Sequence, residues 1–275
     1  VLKQCCEELC RPVAQLFSKA FRQGRQPSLW KLASVVPVHK KGSKSATKNY
    51  RPISLLPILS KVMEAIINRS LMGFLERRHI LTTNQYGFRS GLGTQDLLTL
   101  LHHRWSTVAA GGGAVRVVAV DIAGAFDRVS HPGVIHKAQQ YGVSGMLLAW
   151  LRDYLLDRRL SVVVGGQSSS PHRITAGVPQ GSLLGPTLFL LYTNDADDHL
   201  PPGVDLAAYA DDTTLFQCLS TMDTIDHSST VLQNALDALV NWGTSWRIAF
   251  EPAKSQAMTI DHHRPAWDLP AVQFA

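Results

Sequence analysis

Val115 to Val120 reads VRVVAV, a β-branched run that ends on Asp121. Valines in succession put apolar side chains on both faces of an extended strand, so the stretch belongs inside a sheet with both faces covered. With 45% hydrophobic and 17% charged residues among 275, the chain can bury such a sheet, and disorder is excluded as the default. The length suits one large domain or two small ones. An acid closing a buried strand is out of place for plain solubility, and so are Asp211 and Asp212 in the middle of LAAYADDTTLF.

Around that strand the pattern alternates without a regular period. Helical spacing of apolar residues predicts helices over 5–22, 60–75 (capped by Ser60), 94–108, 132–140, 145–156, 186–192 and 230–242, the last ended by Gly243. Extended segments are expected at 33–39, 51–59 and 160–164, the last folding through the GGQSSS turn into a hairpin that closes near Ile174, and an apolar hairpin at 205–218. Such an order without internal repeats predicts an α+β fold. No apolar run approaches the roughly 18 residues that span a bilayer.

The net charge of +6 conceals a division, since residues 1–90 carry +12 and residues 91–275 carry −6. Lys40, Lys41, Lys44, Lys48 and Arg51 fill a loop marked by Gly42, Ser43, Ser45 and Asn49, a composition that grips phosphates, although a solvated basic loop or a targeting patch reads the same way. Four cysteines, three of them at Cys5, Cys6 and Cys10, form neither a disulfide framework nor a zinc set, which favours a reducing, intracellular setting. The pairs His102-His103 and His262-His263 lack ligand partners at metal spacing and read as surface or helix-packing residues. The start, without Met or a signal-peptide pattern, leads us to expect a piece of a longer chain.

A two-residue Asp-Asp turn is ordinary loop chemistry when taken alone. Should the strand ending in Asp121 lie beside the hairpin carrying Asp211, the carboxylates would converge at one sheet edge and repel, and a divalent cation would relieve that. Oxygen ligands favour a hard ion, Mg²⁺ or Mn²⁺, over zinc. Ions roughly 3.5 to 4 Å apart are what a two-metal phosphoryl-transfer site requires. Sequence alone leaves the adjacency of these strands open.

The blocks LASVVPVHKKG, NYRPISLLPILSKVMEAIINR, NQYGFRSGLGTQDLL, AVDIAGAFDRVSH, GVPQGSLLGPTLFLLYTND, YADD and FEPAKSQAM occur in that order between Trp30 and Met258. In them the chain resembles the reverse transcriptase of non-LTR (LINE-type, jockey-like) retrotransposons. The resemblance implies a right-hand polymerase fold with fingers at about 27–92 and 130–176 and a palm, an antiparallel sheet packed on helices, at about 93–129 and 177–264. A helical lead-in, 1–26, would precede it and a tail, 265–275, would stop before the thumb.

By motif match, Asp121 and Asp211 bind two metal ions, Mg²⁺ or alternatively Mn²⁺, and Asp212 supports them. Arg51 contacts the incoming triphosphate, with Lys40 or Lys41 assisting. Phe126 is the steric gate against a ribose 2′-OH, a position where a core aromatic would look the same. Gln180 and Gly181 lie beneath the templating pair, among glycines that allow close backbone approach, while Arg89 and Tyr209 join the template and primer contacts. Lys254 matches the lysine that protonates the leaving pyrophosphate, though a surface lysine would fit that position too.

Two departures stand out. Glu251 occupies a place usually held by Asn, and Ala123-Gly124 replaces a commoner Ser-Lys pair. The implied activity is RNA-directed DNA synthesis from dNTPs on a DNA primer, inside the cell and in the nucleus at the site of integration, away from membranes. The rival is a catalytically silent nucleic-acid-binding remnant. Nothing in the residues speaks to oligomeric state.

Overall fold

The computed structural model describes residues 2–220 and 225–261. In chain order the first elements are α1 (Cys6–Arg22), β1 (Leu32–His39), β2 (Tyr50–Leu55), α2 (Ile58–Arg77), α3 (Thr94–Ala110) and β3 (Ala114–Val120). Then come α4 (His131–Gln140), α5 (Gly145–Leu155), β4 (Arg159–Val164), β5 (Gln167–Ser168), β6 (His172–Arg173) and α6 (Gly185–Thr193). The last are β7 (Val204–Tyr209), β8 (Asp212–Leu219), α7 (Ile225–Ser245) and β9 (Gln256–Asp261). The expected tail at 265–275 and the pair His262-His263 lie outside the described residues.

Two compact units result, one from Val1–Ile80 with Phe126–Tyr192, the other from Leu81–Ala125 with Thr193 onward. Helix α6 and the loop before it are held within the first unit by polar contacts. The buried Glu64 carboxylate of α2 accepts the Leu183 N–H at 3.0 Å, Thr187 donates to Asn68, and the buried Lys137 ammonium of α4 donates to the Tyr192 carbonyl.

In the first unit β1 pairs antiparallel with β2 and parallel with β4, and β5 and β6 each pair antiparallel with β4. Gly165 and Gly166, at φ 57° and 79°, make the tight turn from β4 to β5, since two left-handed residues match the twist of a hairpin. The Ile174 N–H then closes the excursion on the Arg158 carbonyl at 2.9 Å, where the sequence places it. Helix α4 begins as expected, with Ser130 accepting the Gly133 N–H and Pro132 in its first turn.

Ser60 does not cap α2. Pro57, extended at ψ 135°, ends the preceding segment and the helix starts at Ile58. Ser60 instead lies buried inside it and donates to Glu64 one turn on, at 3.1 Å. Helix α6 is apolar on every side and is buried almost throughout.

The second unit is a four-stranded antiparallel sheet in the order β7-β8-β3-β9. Leu97 and Leu101 of α3 pack on Val115, Val117, Ala207 and Phe216 to form its core. The alternate residues Val118, Leu206 and Leu215 are buried on the opposite face, so β3 is covered on both sides as its valines require. The one discordant side chain, Arg116, is 3% exposed and donates to Ser229 at 2.9 Å. Helix α7 runs through Gly243 to Ser245 instead of stopping at the glycine. A β-carbon there would sit 2.8 Å from the Phe250 ring and 2.9 Å from the Ile248 carbonyl, so Gly243 serves close packing.

Candidate active site

The three acids meet at one end of the second unit's sheet. β3 and β8 are neighbours with Val120 opposite Thr213, and one more step along that register sets Asp121 beside Asp212. Asp211 follows Ala210 in the two-residue turn bounded by the pair Tyr209 and Asp212. The adjacency that the sequence left open is therefore present. Its electrostatic mark is on Asp212, whose carboxyl is raised above the usual range by desolvation first and then by the negative charges of Asp211 and Asp121.

Lys254 reaches the same place from the other edge of β3. Ile122 bridges Phe250, a short 3₁₀ turn spans Pro252–Lys254, and β9 then pairs with β3 from Gln256 opposite Ala119. The Lys254 ammonium sits 3.0 Å from Asp121 Oδ2. It is raised by that hydrogen bond and by the Asp121 charge, with Glu251 adding to the rise, so it carries its proton at neutral pH. Thus Glu251, the departure from the motif, puts its charge by Lys254. The Asp121 main chain is held as well, its carbonyl accepting the Glu251 N–H at 2.8 Å and its N–H facing Ser255 Oγ at 3.4 Å.

These donors are carboxylate oxygens only, a set that fits a hard divalent ion. A cation bound there would offset the neighbouring negative charges that help to raise the Asp212 carboxyl. Among the described residues no group of three or more His, Cys, Asp or Glu side chains is placed to hold a metal ion, and the Lys254 ammonium sits on one oxygen of Asp121.

The turn that carries Asp211 depends on a residue that the sequence did not single out. Ala210 has φ 61°, the left-handed region that a side chain disfavours. The buried Gln85 amide brackets it, with Oε1 accepting the Ala210 N–H at 2.8 Å and Nε2 donating to the Ala210 carbonyl at 3.1 Å. No periodicity signals such a contact. Arg89, expected among nucleic-acid contacts, is half-buried and spends one guanidinium nitrogen on the carbonyls of Thr82 at 2.7 Å and Gln85 at 3.2 Å. Tyr209 is half-buried and packs against the core under α3. His102 and His103 lie exposed on α3, as read.

The other motif residues belong to the first unit. Arg51 lies exposed on β2 opposite Val38. Lys40 and Lys41 open the exposed loop between β1 and β2, which is ordered by bonds from Lys40 N–H to the Asn49 carbonyl at 2.8 Å and from Asn49 Nδ2 to the Ser43 carbonyl at 2.8 Å. None of the ion pairs among the described residues uses these three cations.

Three residues beyond Arg51, the Ser54 N–H donates to the Gln180 carbonyl at 2.8 Å. A β-carbon on Gly181, at φ 104°, would lie 3.0 Å from the Ser54 carbonyl oxygen. The Gln180 side chain donates to Asp127 Oδ1 at 2.9 Å, and the Val178 N–H donates to the Phe126 carbonyl at 2.8 Å. The Phe126 ring, half-buried, lies against Phe189 with centroids 4.9 Å apart. Gln180, Gly181, Phe126 and the strand of Arg51 are thus tied together, and Asp127, unnoticed in the sequence, is one of the ties.

Comparison with known proteins places the chain among known families. The profile of the family described as reverse transcriptase (RNA-dependent DNA polymerase) matches residues 38–271. The chain is 35% identical over 259 residues to the RNA-directed DNA polymerase from mobile element jockey of Drosophila melanogaster, covering 90% of this chain and 27% of that protein. It is 34% identical over 256 residues to the probable RNA-directed DNA polymerase from transposon BS of the same species, covering 88% and 27%. It therefore spans 27% of the length of these curated relatives.

In fold it is similar to apo telomerase from Candida tropicalis, truncated from the C-terminal domain, with a TM-score of 0.60 at 11% identity over 94% of this chain and 56% of that one. Telomerase from Candida albicans in complex with a TWJ fragment of telomeric RNA gives 0.60 at 12% identity over 94% and 47%. The α+β architecture is the right-hand polymerase fold. No helix among the described residues is long and apolar enough to cross a membrane. With its acids converging on one sheet edge and the profile covering most of its length, the chain belongs to the reverse transcriptase (RNA-dependent DNA polymerase) family.

Proposed function

We propose that this chain performs RNA-templated DNA synthesis, joining a dNTP to the 3′-OH of a DNA primer. The observation that carries the reading is the antiparallel pairing of β3 with β8, which sets Asp121 beside Asp212 with Asp211 in the adjoining turn. Divalent metal use is typical of the family. Asp121 and Asp211, supported by Asp212, are the residues that would hold two Mg²⁺ ions, with Mn²⁺ as a substitute. Bound there, the ions would supply neutralisation of phosphate charge and activation of the primer hydroxyl.

The chain's own groups do the rest. The palm would comprise about 93–129 and 177–264 and the fingers about 27–92 and 130–176. Arg51, with Lys40 and Lys41 on an ordered loop, binds triphosphate and template backbone, a role supported by their exposure. Phe126, held by its carbonyl and by Phe189, excludes the 2′-OH. Gln180 and Gly181, fixed on Ser54 and Asp127, support the templating pair. Lys254, kept protonated beside Asp121, donates a proton to the departing pyrophosphate.

Primer extension on an RNA template, with dNTPs and Mg²⁺, tests the reading. The expected outcome is elongation that EDTA stops and that rNTPs support poorly. Template binding without elongation under any divalent ion would identify a silent nucleic-acid-binding remnant instead.

A further inference from the structure

We propose that Gln85 is a positioning residue of the polymerase centre, whose side-chain amide holds the Ala210–Asp211 turn in the shape that presents the two acids. The inference rests on the reading of Asp121, Asp211 and Asp212 as that centre. Ala210 bears a β-carbon at φ 61°, a conformation disfavoured roughly ten-fold for such a residue. Something outside the turn has to hold it there. Gln85 is 7% exposed and has both polar atoms committed, Oε1 to the Ala210 N–H at 2.8 Å and the Gly87 N–H at 2.7 Å, and Nε2 to the Ala210 carbonyl at 3.1 Å. Gripping the N–H and the carbonyl of one residue fixes the peptide planes on both sides of it, and therefore the direction in which Asp211 leaves the turn.

The surrounding segment is arranged to deliver that amide. The Tyr86 N–H donates to the Ala208 carbonyl and the Ala208 N–H to the Asn84 carbonyl, each at 2.8 Å, which lays Gln85 parallel to the end of β7. Gly87 lets the backbones close up, since a β-carbon there would meet the Ala210 nitrogen at 2.2 Å. Arg89 fastens the Gln85 carbonyl from behind. Donor and acceptor are both needed, which only an amide of this length supplies: glutamate lacks the donor and leucine lacks both.

The test uses the full 275-residue chain with Gln85→Leu, Ala210→Gly and the double variant, read by primer-extension kinetics, by Mn²⁺ binding without nucleic acid, and by hydrogen exchange at the Ala210 amide. Gln85→Leu is expected to lower kcat roughly 10- to 100-fold, a displacement effect, with KM for dNTP little changed. It should also weaken Mn²⁺ binding and speed Ala210 exchange. Glycine adopts φ near 60° unaided, so adding Ala210→Gly should restore most of the lost kcat, a rescue that a merely structural glutamine would not show.

Should Gln85→Leu fail to fold, Gln85→Glu keeps the acceptor and the volume, and an intermediate loss of kcat is expected. Wild-type kcat in a folded Gln85→Leu or Gln85→Glu, unchanged Ala210 exchange, or a double variant no better than Gln85→Leu would overturn the proposal. Ala210 exchange does not depend on catalysis. Faster exchange in Gln85→Leu, together with undiminished synthesis by Asp121→Asn, would leave the clamp standing and remove the assignment of the acids instead.

Discussion

Gly87→Ala gives a graded measure of how much displacement the acidic turn tolerates. Gly87 is absent from the residues with positive φ, so alanine meets no backbone strain and the whole effect is steric. Its β-carbon would lie 2.2 Å from the Ala210 nitrogen, 2.9 Å from its Cα and 3.0 Å from its Cβ. Relief to ordinary contact, at roughly 3.5 Å, requires the turn to retreat by about 1 Å. Overpacking of this kind costs about 1–3 kcal/mol, which leaves a marginally stable domain folded. A 1 Å error at reacting groups costs on the order of 10²-fold in rate. Urea unfolding should therefore show the modest loss, and single-nucleotide incorporation should show a fall in kcat far larger than any fall in the folded fraction. Near-wild-type kcat with the expected loss of stability would refute the claim that the position of the turn limits the chemistry.

Three further outcomes follow from the geometry. Because the folded Asp212 carboxyl is raised by desolvation and by its acidic neighbours, its ionisation costs stability above that raised pKa, and the cost disappears as pH falls through it. Asp212→Asn should then raise the melting temperature of the metal-free protein at neutral pH, the gain vanishing in strong acid, while Mg²⁺ stabilises the wild type more than the variant. Glu64→Ala orphans the N–H groups of Leu183 and Leu184 and the Ser60 hydroxyl and removes the anion near buried Arg158. Urea denaturation should register a loss of about 1–3 kcal/mol for each buried donor left unpaired, and a loss below about 1 kcal/mol would contradict the role given to Glu64. Phe126→Ala should let rNTPs compete with dNTPs in single-nucleotide incorporation; unchanged sugar selectivity would dismiss the gate.

What the sequence disclosed follows the range of the interactions. Val115 to Val120 announced a buried strand because four valines in six residues leave few alternatives, and the glycines at 165 and 166 announced their turn through backbone freedom alone. The meeting of Asp121 with Asp212 depends on pairing between segments some ninety residues apart in the chain, which composition cannot encode and which only the motif resemblance suggested. β9 went unread, since QAMTID has few strand formers and lies at the sheet edge beyond β3, where pairing rather than propensity defines it. Ser60 and Gly243 have the right chemistry for helix ends, but Pro57 starts α2 earlier and leaves Ser60 bonded to Glu64 within the helix, and close packing on Phe250 carries α7 past Gly243. Gln85 left no trace, because a side-chain amide bonded to a distant main chain has neither periodicity nor partner motif.

On the proposed reading the acids at the ends of β3 and β8 perform the chemistry while the cations elsewhere hold the nucleic acid. Asp121→Asn tests it most directly, with primer extension in Mg²⁺ and binding to the RNA-primer duplex measured on the same preparation. Extension should be abolished and binding largely kept. Sustained DNA synthesis by a folded Asp121→Asn protein would contradict it.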